Sequence, residues 1–167
     1  PGYRGTDEDL QEAIDEIRDV RLVELNLKRE AKFALIGFLQ NHIKTEYSTY
    51  LYHFYYDNCA TRIRDIIDFA TEGAFRAWAE NEPGQGSYRQ LTARNMIHSP
   101  ALFWVLDTLQ SRIIDTRLDR YEELFLPEKL HQAVVDFTYP DGTRLVDEVQ
   151  VLQDRRDSSI RFTVSDD

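Results

Sequence analysis

The chain has 167 residues and an ordinary apolar share, enough for one domain with a real core. Thirty acidic against twenty basic residues leave a net charge of -10, which argues against a general binder of phosphate backbones while leaving room for a local basic site. A single cysteine, Cys59, excludes an intrachain disulfide and carries no signal of redox compartment.

The opening Pro1-Gly2-Tyr3-Arg4-Gly5 has no initiator methionine and no signal-peptide pattern, which reads as a processed chain or a piece of a longer one. Thr6 before Asp7, Glu8 and Asp9 predicts a capped helix start, with Leu10, Ala13, Ile14 and Ile17 at helical spacing. Val23, Leu25 and Leu27 alternate with Glu24 and Asn26 and predict a short strand. From Lys28 the pattern turns helical: Ala31, Leu35, Phe38, Leu39 and Ile43 share a face that should fade near Lys44. Its most apolar stretch, Phe33 to Leu39, falls far short of the roughly 20 residues that cross a bilayer. The aromatic run Tyr50 to Tyr56 reads as extended or strand, with a helical reading left open. A second amphipathic helix starts at the cysteine, with Cys59, Ile63, Ile66, Ile67 and Ala70 on one face and Arg62, Asp65 and Asp68 elsewhere. Gly73 ends it, or Phe75 to Trp78 prolongs it.

Pro83, Gly84 and Gly86 mark Asn81 to Ser87 as the clearest internal loop. Short helices are predicted from Tyr88 to Ile97 and from Ala101 to Ile114, with a turn near Tyr121. Pro127 opens another helix, its inner side carrying Leu130, Ala133 and Val134. Val135 to Tyr139 and Arg144 to Leu152, joined across Pro140-Asp141-Gly142-Thr143, read as a β-hairpin. The charged end is either one strand at Ile160 to Val164 or disordered. The fold class is α+β, mostly helical with a small antiparallel sheet. Residues 1–152 read as a single domain and 153–167 as a charged tail.

Chemistry centres on Cys59. A thiol at a helix N-terminus meets unpaired N–H groups and the positive end of the helix dipole, which favour the nucleophilic thiolate. The competing reading is a buried packing residue, since free cysteine is among the most buried residue types. A thiol nucleophile needs a base. His53 is nearest in sequence; the spacing of His42, His98 and His131 recommends none of them. Tyr52, Phe54 and Tyr56 would line an apolar pocket, or pack as a core strand. Arg62 and Arg64 would bind an anion, or pair with Asp65 and Asp68 on the helix surface. Asn58 and Asp57 are natural caps. No His, Cys and Asp set has zinc-ligand spacing, and no cofactor motif is evident.

The segment Tyr52-His53-Phe54-Tyr55-Tyr56-Asp57-Asn58-Cys59-Ala60-Thr61-Arg62-Ile63-Arg64-Asp65 resembles the cysteine motif of the Lnb-type periplasmic domain, a family that includes bacterial lipoprotein N-acyltransferases. Ser87-Tyr88-Arg89-Gln90-Leu91-Thr92 and Leu124-Phe125-Leu126-Pro127-Glu128-Lys129-Leu130 look like later motifs of that family, in the same order. The resemblance implies a relative of permuted papain-like enzymes, of which this chain carries the cysteine-helix half. It implies the bacterial envelope or periplasm, Cys59 as an acyl-accepting nucleophile, and Asn58 and Asp57 shaping the turn that presents it. It also implies a phospholipid acyl donor and a lipoprotein acceptor. The family's Gly-His pair has no match among the four histidines, so the base is expected upstream of Pro1. Two alternatives stand beside acyl transfer: a thiol amidase or peptidase of the same superfamily, and a non-catalytic module binding lipid or protein. An incomplete sheet would leave an edge or apolar face that favours association.

Overall fold

The computed structural model describes residues 19–42, 50–95 and 112–153, with positions 11, 12, 104 and 108. The predicted helix start at Thr6, most of the helix from Ala101 and the charged tail lie outside the described residues. In chain order the elements are β1 (Val20–Leu25), α1 (Arg29–His42), α2 (Cys59–Ala70), α3 (Ala74–Glu80), β2 (Pro83–Ser87), α4 (Tyr88–Asn95), a 3₁₀ helix at Arg112–Asp115, β3 (Arg117–Asp119), a second 3₁₀ helix at Glu122–Phe125, α5 (Pro127–Asp136) and β4 (Val146–Gln153). The class is α+β, as the sequence predicts. The chain divides into two units: Pro1–Asn26 with Val146–Asp167, and Leu27–Leu145.

In the first unit β1 runs antiparallel to β4, from Val20 opposite Gln153 to Leu25 opposite Val146. The predicted strand is present but begins earlier, at Val20, and ends at Leu25. The predicted hairpin is corrected. Val135 and Asp136 complete the last turn of α5. The Asp-Gly turn then holds only a short ladder: Tyr139 donates to the Thr143 carbonyl at 2.8 Å and Leu145 to the Phe137 carbonyl at 3.2 Å. Asp141 accepts from the Thr143 N–H at 2.9 Å, and Gly142 takes φ +85°. Beyond it the chain pairs with β1, a partner more than a hundred residues distant that no local turn signal encodes.

In the second unit α2 and α3 are separate helices. Glu72 and Gly73 adopt φ of 56° and 83°, which breaks the helical path. The buried Thr71 hydroxyl bridges the break, donating to the Ile67 carbonyl at 2.9 Å and accepting from the Phe75 N–H at 3.3 Å. The predicted loop at Asn81 to Ser87 is largely a strand, β2, antiparallel to β3, with Pro83 opposite Asp119 and Ser87 opposite Arg117. Its glycines serve close approach, not a turn. A β-carbon on Gly84 would lie 2.5 Å from the Leu118 carbonyl oxygen. Tyr55, Tyr88, Leu91, Ile114, Leu118 and Phe125 form one buried cluster. A further aromatic group joins Phe75, Trp78, Phe137 and Tyr139 by ring contacts of 5.0–6.0 Å.

Tyr121 links α2 and α3 beneath this packing. Its hydroxyl donates to Asp65 at 2.8 Å and accepts from Arg76 at 2.9 Å, and Arg64 lies over its ring at 4.2 Å. Burial pushes its ionisation up to about 12; Arg64 pulls the other way, and donation to Asp65 adds to the rise. An unfolded tyrosine ionises near about pH 10. The unfolded chain therefore loses this proton first, and stability falls as pH rises from about 10 through about 12. Tyr121→Phe should flatten that loss in denaturation curves recorded between pH 8 and 11.5; an unchanged slope would show that Tyr121 makes no contribution.

Candidate active site

Asn58 is the N-cap of α2, in extended conformation, and a reciprocal capping box closes the first turn. Its Oδ1 accepts from the Thr61 N–H at 2.9 Å, and its own N–H donates to Thr61 Oγ1 at 2.8 Å. Nδ2 donates to two carbonyls, Phe54 at 2.8 Å and Phe125 at 3.0 Å. The helix start is thus tied to the turn before it and to the second 3₁₀ helix. Asn58 oxygens take the N–H groups of Thr61 and Arg62. The N–H groups of Cys59 and Ala60 meet no acceptor among the described residues.

Cys59 is exposed, which overturns the packing reading. The buried positions of α2 are Ala60, Thr61, Ile67 and Ala70. Of the face predicted to pack, Ile67 and Ala70 are buried and Ile66 half-buried, while Cys59 and Ile63, at 52% exposure, point outward. The cause is the cap: burying Asn58 and Thr61 turns the small side chains of Ala60 and Thr61 inward.

Asp57 does not cap. It forms a two-point ion pair with Arg62, Nε to Oδ1 at 2.5 Å and a terminal nitrogen to Oδ2 at 2.7 Å. The hydrogen bond to Asp57 holds the Arg62 guanidinium still more firmly protonated. Tyr50 stacks on that guanidinium at 4.3 Å. The predicted pairing of Arg62 with Asp65 and Asp68 is therefore replaced by Asp57; Arg64 pairs with Asp65 at 2.8 Å, and Asp68 pairs with Arg76.

The aromatic run is a tight turn, not a strand. His53 and Asp57 exchange backbone hydrogen bonds of 2.9 and 3.0 Å around Phe54, Tyr55 and Tyr56. Tyr55 enters the core, while Tyr50, Leu51, Tyr52, Phe54 and Tyr56 remain exposed. The core-strand reading of Tyr52, Phe54 and Tyr56 is thereby excluded. His53 Nδ1 accepts the N–H groups of Tyr55 and Tyr56 at 3.3 Å, and its ring stacks on Tyr56 at 4.5 Å. None of its described hydrogen bonds reaches the thiol.

A cleft of about 460 Å³ opens beside this turn, lined by Phe38, His42, Tyr56, Asp57, Arg62, Asp65 and Ile66. Tyr56 belongs to it; Tyr52 and Phe54 do not. The sequence reading missed Phe38, His42 and Ile66 as cleft residues. The signal was available in outline, since His42 follows Phe38 by one helical turn and stacks on it at 3.9 Å. The Phe125 carbonyl was also missed, being a backbone group 67 residues from Asn58.

Asn58→Asp keeps an equally good capping oxygen but faces the Phe54 and Phe125 carbonyls with an acceptor in place of a donor. It should lower stability by about 1–3 kcal/mol in urea denaturation at pH 7. A neutral result would show that the tie to Phe125 contributes nothing.

Comparison with curated proteins and with solved structures gave no significant match. The family model of the Lnb N-terminal periplasmic domain matches residues 8–94, more than half of the chain. The match takes in β1, α1, the turn at His53–Asp57, the capping box, Cys59 and most of α4. The chain therefore belongs to the Lnb N-terminal periplasmic domain family, and is a periplasmic domain of an Lnb-related envelope protein.

Proposed function

We propose that this domain performs cysteine-dependent acyl transfer in the bacterial envelope, with Cys59 carrying the acyl group as a thioester. One observation carries the reading: an exposed thiol at the first position of a capped helix, beside two backbone N–H groups without acceptors among the described residues. Thiolate is the attacking form, and such N–H groups suit the oxyanion that forms on attack. The thiolate adds to the carbonyl carbon of a phospholipid ester. The C–O bond then breaks, the departing oxygen takes a proton, and a thioester remains. A lipoprotein amine next attacks the thioester, loses a proton to a base and expels the thiolate, leaving an amide. The rings of Phe38 and Tyr56 and the side chain of Ile66 offer apolar cover for the acyl chain. Tyr52, Phe54 and Ile63, outside the cleft, are further exposed apolar side chains close to Cys59 in sequence. Nδ1 of His53 is occupied by two backbone donors, and the base implied by the family resemblance is a Gly-His histidine, a pair that the sequence does not contain.

A thiol amidase or peptidase would use the same nucleophile with water as acceptor. The exposed apolar rim favours an acyl chain over a peptide. Cys59→Ser in the intact parent protein should abolish N-acylation of lipoproteins, read by mass spectrometry of their N-termini; unchanged acylation removes the proposal. A trapped fatty acyl thioester on Cys59 supports transfer, and a trapped peptidyl group supports the peptidase.

A further inference from the structure

Two motifs downstream of the cysteine have no chemical part in the proposed reaction, yet the structure links both, around one buried carboxylate, to the turn and cap that precede Cys59. Glu123 is 2% exposed. Its Oε1 accepts the backbone N–H groups of Gln85 and, at 3.0 Å, Gly86. Oε2 lies 3.6 Å from Lys129 Nζ, and that ammonium also donates to Gln85 Oε1 at 2.6 Å. A carboxylate removed from water is costly unless so compensated. Glu123 therefore fixes β2 to the 3₁₀ helix Glu122–Phe125. Two residues on, the same 3₁₀ helix presents the Phe125 carbonyl to Asn58 Nδ2.

The connection closes on itself. β2 runs into α4 through a reciprocal cap, Ser87 N–H to Gln90 Oε1 at 3.1 Å and Gln90 N–H to Ser87 Oγ at 3.3 Å. From α4, Tyr88 packs on Phe125 at 5.2 Å and on Tyr55 at 4.8 Å. Thr92 Oγ1 lies 3.4 Å from the Tyr55 hydroxyl. Tyr55 sits in the turn whose Phe54 carbonyl takes the other Asn58 hydrogen bond. There is no slack at Gly84, where a β-carbon would lie 2.8 Å from Glu123 Oε1.

We propose that Glu123 is a positioning residue for Cys59, holding the 3₁₀ helix in the one register that lets Phe125 anchor the Asn58 cap. This rests on the reading of Cys59 as a nucleophile, but its test needs no acyl substrate. The rate of Cys59 alkylation by iodoacetamide at mildly acidic pH reads the setting of the thiol. Glu123→Ala should lower that rate by roughly two- to fivefold, the equivalent of the helix-terminus interaction. Glu123→Gln keeps an oxygen for both N–H groups and should restore the wild-type rate. Phe137→Leu, in the aromatic group of α3 and α5, is the control that lowers stability without touching the clamp.

An unchanged rate in folded Glu123→Ala overturns the proposal, as does an equal fall in Phe137→Leu. Should Glu123→Ala fail to fold, Asn58→Ser carries the test, keeping a capping oxygen and losing both side-chain donors. A wild-type rate there overturns the proposal, and a two- to fivefold fall supports it. The expected alkylation pattern together with unchanged lipoprotein acylation in Cys59→Ser would sustain the clamp while removing the proposed reaction.

Discussion

The primary amide of Asn58 is the constraint on which the site depends. It is buried, and each of its polar groups is paired. A local cap needs only the oxygen. The nitrogen makes it a tertiary contact, spanning to Phe125 across 67 residues. A net gain of about 1 kcal/mol per hydrogen bond understates such a group, because losing one partner leaves the other buried and unpaired at about 1–3 kcal/mol. The orientation of α2 follows from this. The cap fixes the start of α2, whose buried positions are Ala60, Thr61, Ile67 and Ala70 and whose Cys59 is exposed.

That orientation is what the sequence could not convey. Helical spacing located α1, α2 and α5, and Pro127 marked the first turn of α5 as expected. The apolar pattern of α2 was right for Ile67 and Ala70 but failed in the first two turns, where the cap buries Ala60 and Thr61 and leaves Cys59 and Ile63 exposed. Tyr50 to Tyr56 failed for a related reason. Alternation of aromatics suggested a strand, but only Tyr55 finds a cavity, and a four-residue bridge closes the turn. At β2 the glycines read as a loop, whereas Gly84 admits the Leu118 backbone and the Glu123 carboxylate. Strand β4 was found in sequence but given the wrong partner, since a turn signal is local and its pairing with β1 is not.

The site was legible where its residues are close in sequence, and illegible where it is shared between distant elements. Cys59, Asn58 and the capping Thr61 lie within four residues. Arg62 was singled out, but its true partner is Asp57 on the preceding turn, with Tyr50 stacked on the far side. Such a pair, half exposed to water, contributes at most about 1 kcal/mol to stability. Its greater effect is geometric. It joins the turn before the cap to the first turn after it, so that the residues flanking Cys59 on both sides move as one body.

The composition of α2 then acquires a meaning that stability alone does not give it. Ala60 and Ala70 are buried while Ile63 and Phe69 stand half in water, in a chain whose net charge is -10. At roughly 25 cal/mol per Å² of apolar area, exposing an isoleucine in place of an alanine forfeits a kcal/mol or more. Tyr52, Phe54 and Tyr56 add to the same exposed apolar rim on the adjoining turn. The buried positions of α2 combine the small Ala60, Thr61 and Ala70 with Ile67, while Ile63 stays exposed one turn from the thiol and Phe69 stacks on Phe38 at 4.7 Å. Exposed apolar side chains near the thiol are the feature that the proposed acyl substrate, with its apolar body and polar reacting end, would use.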